Sequence, residues 1–546
     1  MSEEQGIDRR TFLRRTGITA AGLQFVSLPA LLAACSSSGG TKASTDNSTA
    51  TSSAKGNLTL KMPFLLDMQV PDPDIMYEGE GLQVMLACYE GLVNYKPGTG
   101  TIVPGLADSW TVSTDLLTYT FKLKPGVKFH DGTAADATAW QKSFERRKTV
   151  NQGPEYMVDG VVKMETPDPL TFIVTLKEPN DAFLDYLACP WQPYAVSPTA
   201  VAKYASGNDV AQGWLKTHDA GTGAYVISEF VPGSHYTLEA FPDYWGPKPQ
   251  FTTVRIDIIP DVATQRLKLE SGDLDLVTKG FATEDVKQFQ KNSKYKVIVT
   301  ESTSIIALWL NATGDGVFKD KAVRKAMLQA IDRDKIITPT YQGLAKIEKN
   351  YYSENMFPDG KAPFDLAYDP SILKGMIKDL PTKKIDLAYA ESGGAPYRRM
   401  AELIQTQLAA IGLDVAVRGM PTSQVFGLAT GAAKQRPDLL LWSYGGDALH
   451  VDTVLRIFLR TGAAPLNWDN YSNKDLDTKM DKAITEPTKD MVEADYVSIA
   501  KDIQDEAWFI PFARRPEVII ARAGLSGFES NSYLPSILNL DVLKSS

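Results

Sequence analysis

Short runs of alternating apolar and polar residues, separated by turn residues, make up much of this 546-residue chain. One run places Tyr119, Phe121 and Leu123 on the same side, which is typical of a half-buried strand. Pro125-Gly126 predicts a turn, and the alternation resumes over residues 127–129. The pattern therefore predicts a β-hairpin whose two strands flank this turn.

Helical spacing replaces the alternation further along, and capping residues mark the ends of the predicted helices. Asp136 and Asp261 each precede a helical pattern and are predicted to cap it, and Gly272 is predicted to end the second helix. The clearest unit has a strand at 385–389, a helix at 397–411 and a second strand directly after it. One helix between two strands implies that these strands are parallel neighbours in a sheet.

Length and composition indicate the class of protein. A chain of 546 residues exceeds what one hydrophobic core normally organises, so two or three domains are expected. Apolar residues make up 43% of the chain, which is ordinary for a globular protein. The net charge of −9 argues against a nucleic-acid partner, because binding the phosphate backbone requires a concentrated basic surface.

Motifs that would indicate an enzyme or a bound cofactor are missing from the sequence. There is no G-x-S-x-G elbow, H-E-x-x-H pair, Walker A loop or G-x-G-x-x-G turn. The four histidines are too scattered to suggest a zinc site. We therefore expect a protein that is not an enzyme and that carries neither cofactor nor metal. Cys88 and Cys189 could pair in an oxidising compartment, or remain two separate buried thiols.

The first 34 residues have the features of an export signal. Arg9-Arg10 precedes a short, moderately apolar stretch at 16–34, which resembles a Tat signal; a Sec signal with incidental arginines is the alternative. Leu32–Cys35 resembles a lipobox, so we expect cleavage before Cys35 and lipid attachment to its thiol. The lipid would hold the protein at the outer face of the cell membrane. Residues 35–56 are rich in Ser, Thr and Ala and are predicted to form a flexible tether.

Several motifs in a fixed order carry a resemblance to a known family. They are YEGL at 89–92, LKPGVKFHDG at 123–132, SFER at 143–146 and SGDLD at 271–275. In this order they resemble family 5 of the extracellular solute-binding proteins, which are the peptide, nickel and opine receptors of bacterial ABC importers. The similarity extends over nearly the whole chain that follows the export signal.

The resemblance implies an α/β, two-lobed periplasmic-binding-protein type II fold with a small inserted domain. Lobe I would consist of residues 57–91, 208–302 and 506–546, the inserted domain of 92–207, and lobe II of 303–505. The implied function is the capture of a solute, above all a short peptide, by hinge closure and its delivery to the permease subunits of an ABC importer. The protein is expected to act as a monomer. A nickel chelate, an opine or an oligosaccharide as ligand, or a surface sensor or chaperone without a transport role, are the alternatives.

Asp447 is the candidate for the residue that anchors the ligand. In peptide-binding members of the family, an aspartate soon after a tryptophan-bearing strand takes the α-ammonium group of the ligand. Here Trp442 precedes Asp447 by five residues, which is more than is typical. Two alternatives follow: Gly445 occupies the anchor position and the ligand lacks a free amine, or Asp447 only forms a turn after Gly-Gly.

Further residues are candidates for the border of the cleft. By the same resemblance Asp72-Pro73 would lie beside it, with a plain Pro-rich turn as the alternative. Four more residues are secondary candidates for contact with the ligand, and for the aromatic ones the hydrophobic core is the alternative: Tyr444, Trp442, Trp309 and Asn311.

Overall fold

Three main β-sheets organise the residues that the computed structural model describes, which are 58–463 and 466–546. The predicted export signal, Cys35 and the tether lie outside these residues. The strands are β1 Thr59–Phe64, β2 Val93–Tyr95, β3 Ile102–Pro104, β4 Ala107–Val112, β5 Thr118–Leu123, β6 Val161–Asp168, β7 Thr171–Leu176, β8 Tyr225–Val231, β9 His235–Ala240, β10 Thr253–Ile258, β11 Leu276–Val277, β12 Tyr295–Leu310, β13 Lys384–Ala390, β14 Asp414–Met420, β15 Leu439–Tyr444, β16 Phe509–Arg522, β17 Leu525–Ser526 and β18 Lys544–Ser545.

The helices connect these strands and cover the sheets. In chain order they are α1 Leu82–Cys88, α2 Ala137–Val150, α3 Phe183–Tyr186, α4 Pro198–Tyr204, α5 Val262–Ser271, α6 Thr283–Gln290, α7 Lys321–Gln329, α8 Asp334–Tyr341, α9 Pro370–Met376, α10 Gly394–Ile411, α11 Thr422–Gly427, α12 Val451–Phe458, α13 Lys474–Ala483 and α14 Lys489–Glu506. Among the described residues no helix combines the length and the apolar character that crossing a membrane requires.

Two four-stranded sheets share one hydrophobic core. The first has the order β1-β10-β9-β8, and the second, β4-β5-β7-β6, is antiparallel throughout. Leu60 of the first sheet and Phe121 of the second belong to the same cluster of buried side chains. The second sheet, built entirely within residues 92–207, therefore shares its hydrophobic core with the first.

The hairpin predicted around Pro125-Gly126 is wrong. Strand β5 pairs with β4 on one side and with β7 on the other, so neither of its edges is free for the segment after the turn. The segment after Gly126 instead folds on itself: Phe129 N donates to Thr133 O (2.8 Å) and Ala135 N donates to Val127 O (3.0 Å). The alternating pattern correctly predicted that Phe129 is buried, but it does not indicate which edge of a strand is free for pairing.

A six-stranded sheet, β11-β16-β12-β15-β13-β14, carries the second core. Strands β13 and β14 are parallel neighbours joined through α10, as the sequence pattern predicted. The predicted helix ends are also confirmed: Asp136 and Asp261 accept hydrogen bonds from Ala139 N and Thr264 N, and Gly272 ends α5 with a φ of 86°.

Two long strands, β12 and β16, join the body that contains the two four-stranded sheets to the body that contains the six-stranded sheet. They pair from Tyr295 opposite Arg522 to Trp309 opposite Phe509, and the ladder is interrupted between Glu301 and Ile305. Such an interruption locally bends a strand and increases its twist. It lies beside residues 302 and 303, where the sequence places the boundary between lobes; the domain boundaries themselves stay predictions.

Cys88 and Cys189 are not bonded to each other. Both thiols are free and buried, so the disulfide alternative is wrong. Cys189 lies after α3, where its sulfur is 3.7 Å from the sulfur of Met157. The pair behaves as two small apolar side chains within the shared core.

Candidate ligand cleft

Asp447 lies where three parts of the chain meet. It follows β15 of the six-stranded sheet, and its Oδ2 accepts hydrogen bonds from the hydroxyls of Tyr77 and Tyr156, the latter at 2.5 Å. Tyr77 belongs to the loop between β1 and α1, and Tyr156 precedes β6 of the antiparallel sheet. One carboxylate thus links lobe I, lobe II and the segment before β6 of the antiparallel sheet. Only 7% of Asp447 is exposed.

The Gly445-Gly446 pair allows the chain to turn sharply before Asp447. A Cβ atom on Gly446 would lie 1.9 Å from Oγ1 of Thr453, and one on Gly445 would lie 2.8 Å from Oγ of Ser304. No side chain fits at Gly446 without displacing α12, which Thr453 belongs to. The two glycines let the backbone pass close to β12 and α12 just before Asp447.

Aromatic rings surround this carboxylate. The rings of Tyr77 and Trp191 pack edge to face with centroids 5.7 Å apart, and Trp191 contacts Tyr533 in the same manner at 5.5 Å. Tyr156 packs against Tyr186 at 5.7 Å. Flat, rigid walls with hydroxyls at their edges are suited to holding a small polar molecule beside the charged group.

A buried cluster of four charges fixes the loop that carries Tyr77. Arg146 on α2 binds Asp72 through two nitrogens (2.8 and 2.6 Å) and Asp74 at 2.5 Å. Arg147 binds Asp74 at 2.9 Å and donates to the carbonyl oxygen of Trp191 at 2.9 Å. The cluster therefore positions both Tyr77 and Trp191. The carboxylate of Asp72 is fully buried and paired within this cluster, and the position of the Asp72-Pro73 loop beside the ligand stays a prediction.

The charge of Asp447, in contrast, has no cation beside it. Across the part of the chain that the structure describes, no Lys, Arg or His forms an ion pair with this carboxylate. Burial raises the pKa of Asp447, and the hydrogen bonds from Tyr156 and Tyr77 oppose that rise without reversing it. A buried acid with neutral partners binds a proton, or an added cation, more readily than an exposed one.

A cavity of about 300 Å³ opens between the lobes beside the crossing strands. Its walls come from residues 278–283 of lobe I, from the start of α10 in lobe II, and from Arg515 on β16. Burial and the charge of Asp447 raise the pKa of Tyr533, and Arg515, which lines this cavity, lowers it.

The other predicted contact residues lie deeper in lobe II. Trp309 is fully buried and packs against Tyr444 and Phe509, with ring centroids 5.5 and 4.4 Å away. The hydroxyl of Tyr444 donates to Tyr351 O at 2.7 Å, and Trp442 packs on Phe458 at 5.7 Å.

Asn311 is also held by the protein itself. Its Nδ2 donates to Pro437 O at 3.1 Å and its Oδ1 accepts from Gly314 N at 2.8 Å. In this conformation Asn311, Trp309, Trp442 and Tyr444 support β12 and β15, and their contact with a ligand stays a prediction.

Residues 95 and 181, which lie outside the four-stranded antiparallel sheet, contact lobe II away from Asp447. Nε2 of His450, which caps α12, lies 3.1 Å from Oδ2 of Asp181, and Leu449 N donates to the hydroxyl of Tyr95 at 2.9 Å. The region of residues 92–207 therefore contacts lobe II at several points besides Asp447.

Sequence reasoning selected Asp447 but missed the groups that surround it. Tyr77 and Tyr156 carried no motif, because a single tyrosine in a loop has no periodic pattern. The Asp-Pro-Asp run at 72–74 and the Arg146-Arg147 pair were visible as opposite charges. Only their mutual distance, given by the fold, shows that they form one cluster.

Comparison with known proteins agrees with this architecture. The model of the bacterial extracellular solute-binding proteins, family 5, matches residues 101–465. A curated relative, the probable D,D-dipeptide-binding periplasmic protein DdpA of Escherichia coli K12, is 24% identical over 484 residues, which cover 87% of this chain and 92% of that protein.

Solved structures of similar proteins have the same two-lobed fold. NikA from Brucella suis in complex with Fe(III)-EDTA superposes with a TM-score of 0.78 at 23% identity and covers 90% of this chain and 100% of its own. DppA from Helicobacter pylori in complex with the peptide STSA gives 0.74 at 24% identity, with coverage of 89% and 98%. The protein has the α/β, two-lobed type II periplasmic-binding fold, and the chain belongs to family 5 of the bacterial extracellular solute-binding proteins.

Proposed function

We propose that this protein captures a short peptide, or another solute with a free amine, outside the cytoplasm and delivers it to the permease subunits of an ABC importer. The observation that carries the proposal is the buried carboxylate of Asp447, which two tyrosine hydroxyls hold at the junction of both lobes and which no cation of the described chain neutralises. The ammonium group of the ligand supplies that cation.

The energetics favour an ammonium group over a neutral donor. An ionised carboxylate that is removed from water without a partner costs several kcal/mol. A charge-assisted hydrogen bond from an ammonium group offsets this cost, and it is about twice as strong as a bond between neutral groups. Binding of the cation therefore stabilises the charged form of Asp447 that burial disfavours.

The same contact explains how binding can drive closure. Tyr77, Tyr156 and Asp447 come from different parts of the fold and meet in this conformation, so opening of the lobes would separate them. A ligand that stabilises this meeting point binds the closed form better than the open one and shifts the population toward it. The permease then receives a closed, loaded protein.

Similar proteins support a peptide as the ligand. The relative DdpA is named as a D,D-dipeptide-binding protein, and DppA from Helicobacter pylori was solved with a peptide. Another relative, NikA, was solved with Fe(III)-EDTA. Within residues 58–463 and 466–546, no group of three or more His, Cys, Asp or Glu side chains is placed to hold a metal ion. A metal would therefore have to arrive inside its own chelate.

Native mass spectrometry of the purified protein tests the proposal, because it identifies a solute that is purified with the protein. We expect a molecule with a primary or secondary amine. Calorimetry with Ala-Ala-Ala and its N-acetylated form provides the matched comparison, and acetylation should abolish binding because it removes the cation. A tightly bound solute without an amino group, or equal affinity for both peptides, would exclude Asp447 as an ammonium anchor.

We further propose that Cys35 carries the lipid that holds the protein at the outer face of the membrane, after export through the Tat pathway. The support is the Leu32–Cys35 lipobox and the Arg9-Arg10 pair. Cys35→Ser should move the protein from the membrane to the soluble fraction, and Arg9→Lys together with Arg10→Lys should block its export. A serine variant that stays with the membrane would refute the anchor. The protein acts as a monomer, which sedimentation of the mature chain tests. It carries no resident cofactor.

A further inference from the structure

Positive charge is in excess in the walls of the cavity beside the crossing strands. Of the described residues that line it, Lys279 and Arg515 are basic and Glu517 is acidic. Lys279 binds Glu80 at 2.7 Å, and Glu80 does not itself line the cavity. Within the lining, the cations therefore outnumber the carboxylates by two to one, which favours a negatively charged group as the occupant.

Arg515 uses only one edge of its guanidinium group within the protein. Its Nε and Nη2 donate to the same oxygen of Glu517 at 2.9 and 2.6 Å. Its Nη1 donates to no atom of residues 58–463 and 466–546, and 38% of the side chain stays exposed. A guanidinium group has a second planar edge, formed by Nη1 and Nη2, which matches the two oxygens of a carboxylate. This second edge is available to a ligand.

The hydroxyl group of Tyr341, on α8, is an independent donor in the same cavity. Tyr341 lines the cavity and is only 4% exposed. Within the described part of the chain, its hydroxyl group has no hydrogen-bond partner. Burial raises the pKa of this phenol, and the positive charge of Arg515 opposes the rise. A buried hydroxyl without a partner is unfavourable, and a ligand atom that accepts its hydrogen bond offsets that cost.

The start of α10 adds backbone donors to the wall. The helix is 18 residues long, and its N-cap residue, Gly393, provides no side-chain cap. A Cβ atom on Gly393 would lie 2.0 Å from Cγ of Tyr397, so no side chain fits there. The N–H groups of a helix start favour a negative charge, although the effect is modest. They support the donors of Arg515 and Tyr341 and do not define a site by themselves.

We propose that Arg515 and Tyr341 bind a carboxylate group of the ligand, so that this cavity selects for solutes with an acidic end. The inference rests on the proposed capture of a solute between the lobes and does not depend on Asp447 as the ammonium anchor. The carboxylate forms two parallel bonds with the free edge of Arg515, and Tyr341 donates to one of its oxygens. A single excess positive charge in the lining suits a carboxylate better than a doubly charged phosphate.

Calorimetry with Ala-Ala-Ala and Ala-Ala-Ala-amide tests the inference. The wild type should bind the free acid about tenfold more tightly, because hydrogen bonds from a guanidinium group to a carboxylate are about twice as strong as those between neutral groups. Equal or tighter binding of the amide would overturn the inference, as would a solute without an acidic group purified with the protein.

Two variants show whether the preference for the free acid comes from this cavity. Tyr341→Phe removes only a hydroxyl group and should lower the preference to about threefold. Arg515→Gln together with Glu517→Gln leaves no member of the ion pair buried alone, so the variant should fold, and it should abolish the preference. A preference that survives this double variant would overturn the inference.

Tyr351→Phe is the matched control for Tyr341→Phe. Tyr351 also has a buried hydroxyl group without a partner, but it does not line the cavity. This variant should keep the full preference for the free acid. An equal loss in both tyrosine variants would mean that removal of a buried hydroxyl group acts through the fold, and the role of Tyr341 would be wrong.

Failure of the inference differs from failure of the proposed function. If acetylation of the amine abolishes binding while the free acid and the amide bind equally, the anchor at Asp447 stands and the carboxylate site is wrong. If N-acetyl-Ala-Ala-Ala still binds and the double variant weakens it, the carboxylate site stands and the ammonium anchor is wrong. If no peptide binds at millimolar concentration, the solute purified with the protein decides. Its loss from the double variant supports the carboxylate site, and unchanged retention overturns it.

Discussion

Two groups of buried charge lie within the same region of the molecule, and they differ in how they are compensated. In the four-charge cluster, Arg146 and Arg147 bind Asp72 and Asp74, and two positive charges meet two negative ones. Asp447 is almost as deeply buried, but its side-chain partners among residues 58–463 and 466–546 are neutral hydroxyls.

The difference separates a structural cluster from the proposed binding site. A balanced cluster is satisfied within the protein, so it holds a loop in place and has no need of a further ion. An unbalanced carboxylate is kept in an unfavourable environment that only an added proton or cation relieves. Proteins retain such a cost where binding depends on it. The following predictions test this contrast, beginning with the largest expected effect.

Removing one member of the balanced cluster should destabilise the fold most. Arg146→Met removes the cation bound to Asp72 and one of the two cations bound to Asp74. We expect a loss of about 3–5 kcal/mol in the free energy of unfolding. Urea unfolding measures it. Lys142→Met is the control, because Lys142 on the same helix forms an exposed pair with Glu145, which contributes little. A loss below about 1 kcal/mol for Arg146→Met would mean that the cluster is not structural.

Removing the unbalanced charge should weaken ligand binding without destabilising the fold. Asp447→Asn keeps both tyrosine contacts but cannot neutralise an ammonium group, so ligand affinity should fall about 30-fold or more. The unliganded variant should be as stable as the wild type at neutral pH or more stable, since a disfavoured charge is gone. Asp452→Asn, one turn away, is the contrast: it should destabilise the protein because Arg456 loses its partner. Calorimetry and urea unfolding measure the two effects.

As the pH falls, the stability of the wild type relative to Asp447→Asn should rise, whereas its affinity for the ligand should fall. The pKa of Asp447 in the folded protein lies above its usual value of 3.8, so the folded state holds this proton more tightly than the unfolded chain. The stability advantage of Asp447→Asn should therefore be largest at neutral pH and shrink as the pH falls through the raised pKa toward 3.8. Ligand affinity of the wild type should fall over the same range, because the proton competes with the ammonium group. An advantage that grows in acid would contradict both expectations.

The smallest effect is expected where the lobes touch at His450. Burial lowers the pKa of His450, but the hydrogen bond to Asp181 and the charges of Asp185 and Asp452 outweigh it, so the net pKa is raised. Closure should be favoured below the ordinary value of 6.5 and lose about 1 kcal/mol or less as the pH rises through the raised pKa. Distances between spin labels on the two lobes measure it. Asp181→Asn should remove most of the dependence, and a dependence that persists unchanged would assign it to another group.

How far the sequence predicted the fold depended on whether a signal was local. The helix caps at Asp136 and Asp261 and the β13-α10-β14 unit follow from contacts within a few residues, and each was predicted correctly. The hairpin after Leu123 failed because strand pairing depends on which edge is free, and residues 171–176 occupied that edge.

The candidate site shows the same division. The position of Asp447 after a tryptophan-bearing strand could be recognised along the chain, whereas its partners Tyr77 and Tyr156 are 370 and 291 residues away from it. Aromatic residues near the same strand, such as Trp309 and Tyr444, could not be assigned to the core or to the cleft before the sheet was known. Periodicity identifies a buried face but not what lies on the other side of it.

By itself, the sequence determined the family, the α/β class, the local elements and the one acidic residue to examine. These features depend on ordered motifs and on short-range spacing, which the amino-acid sequence alone contains. The tertiary structure decided which charges are balanced and which are not, because compensation depends on distances between residues far apart in sequence. It brought Arg146 and Arg147 to Asp72 and Asp74, and it brought only hydroxyl groups to Asp447.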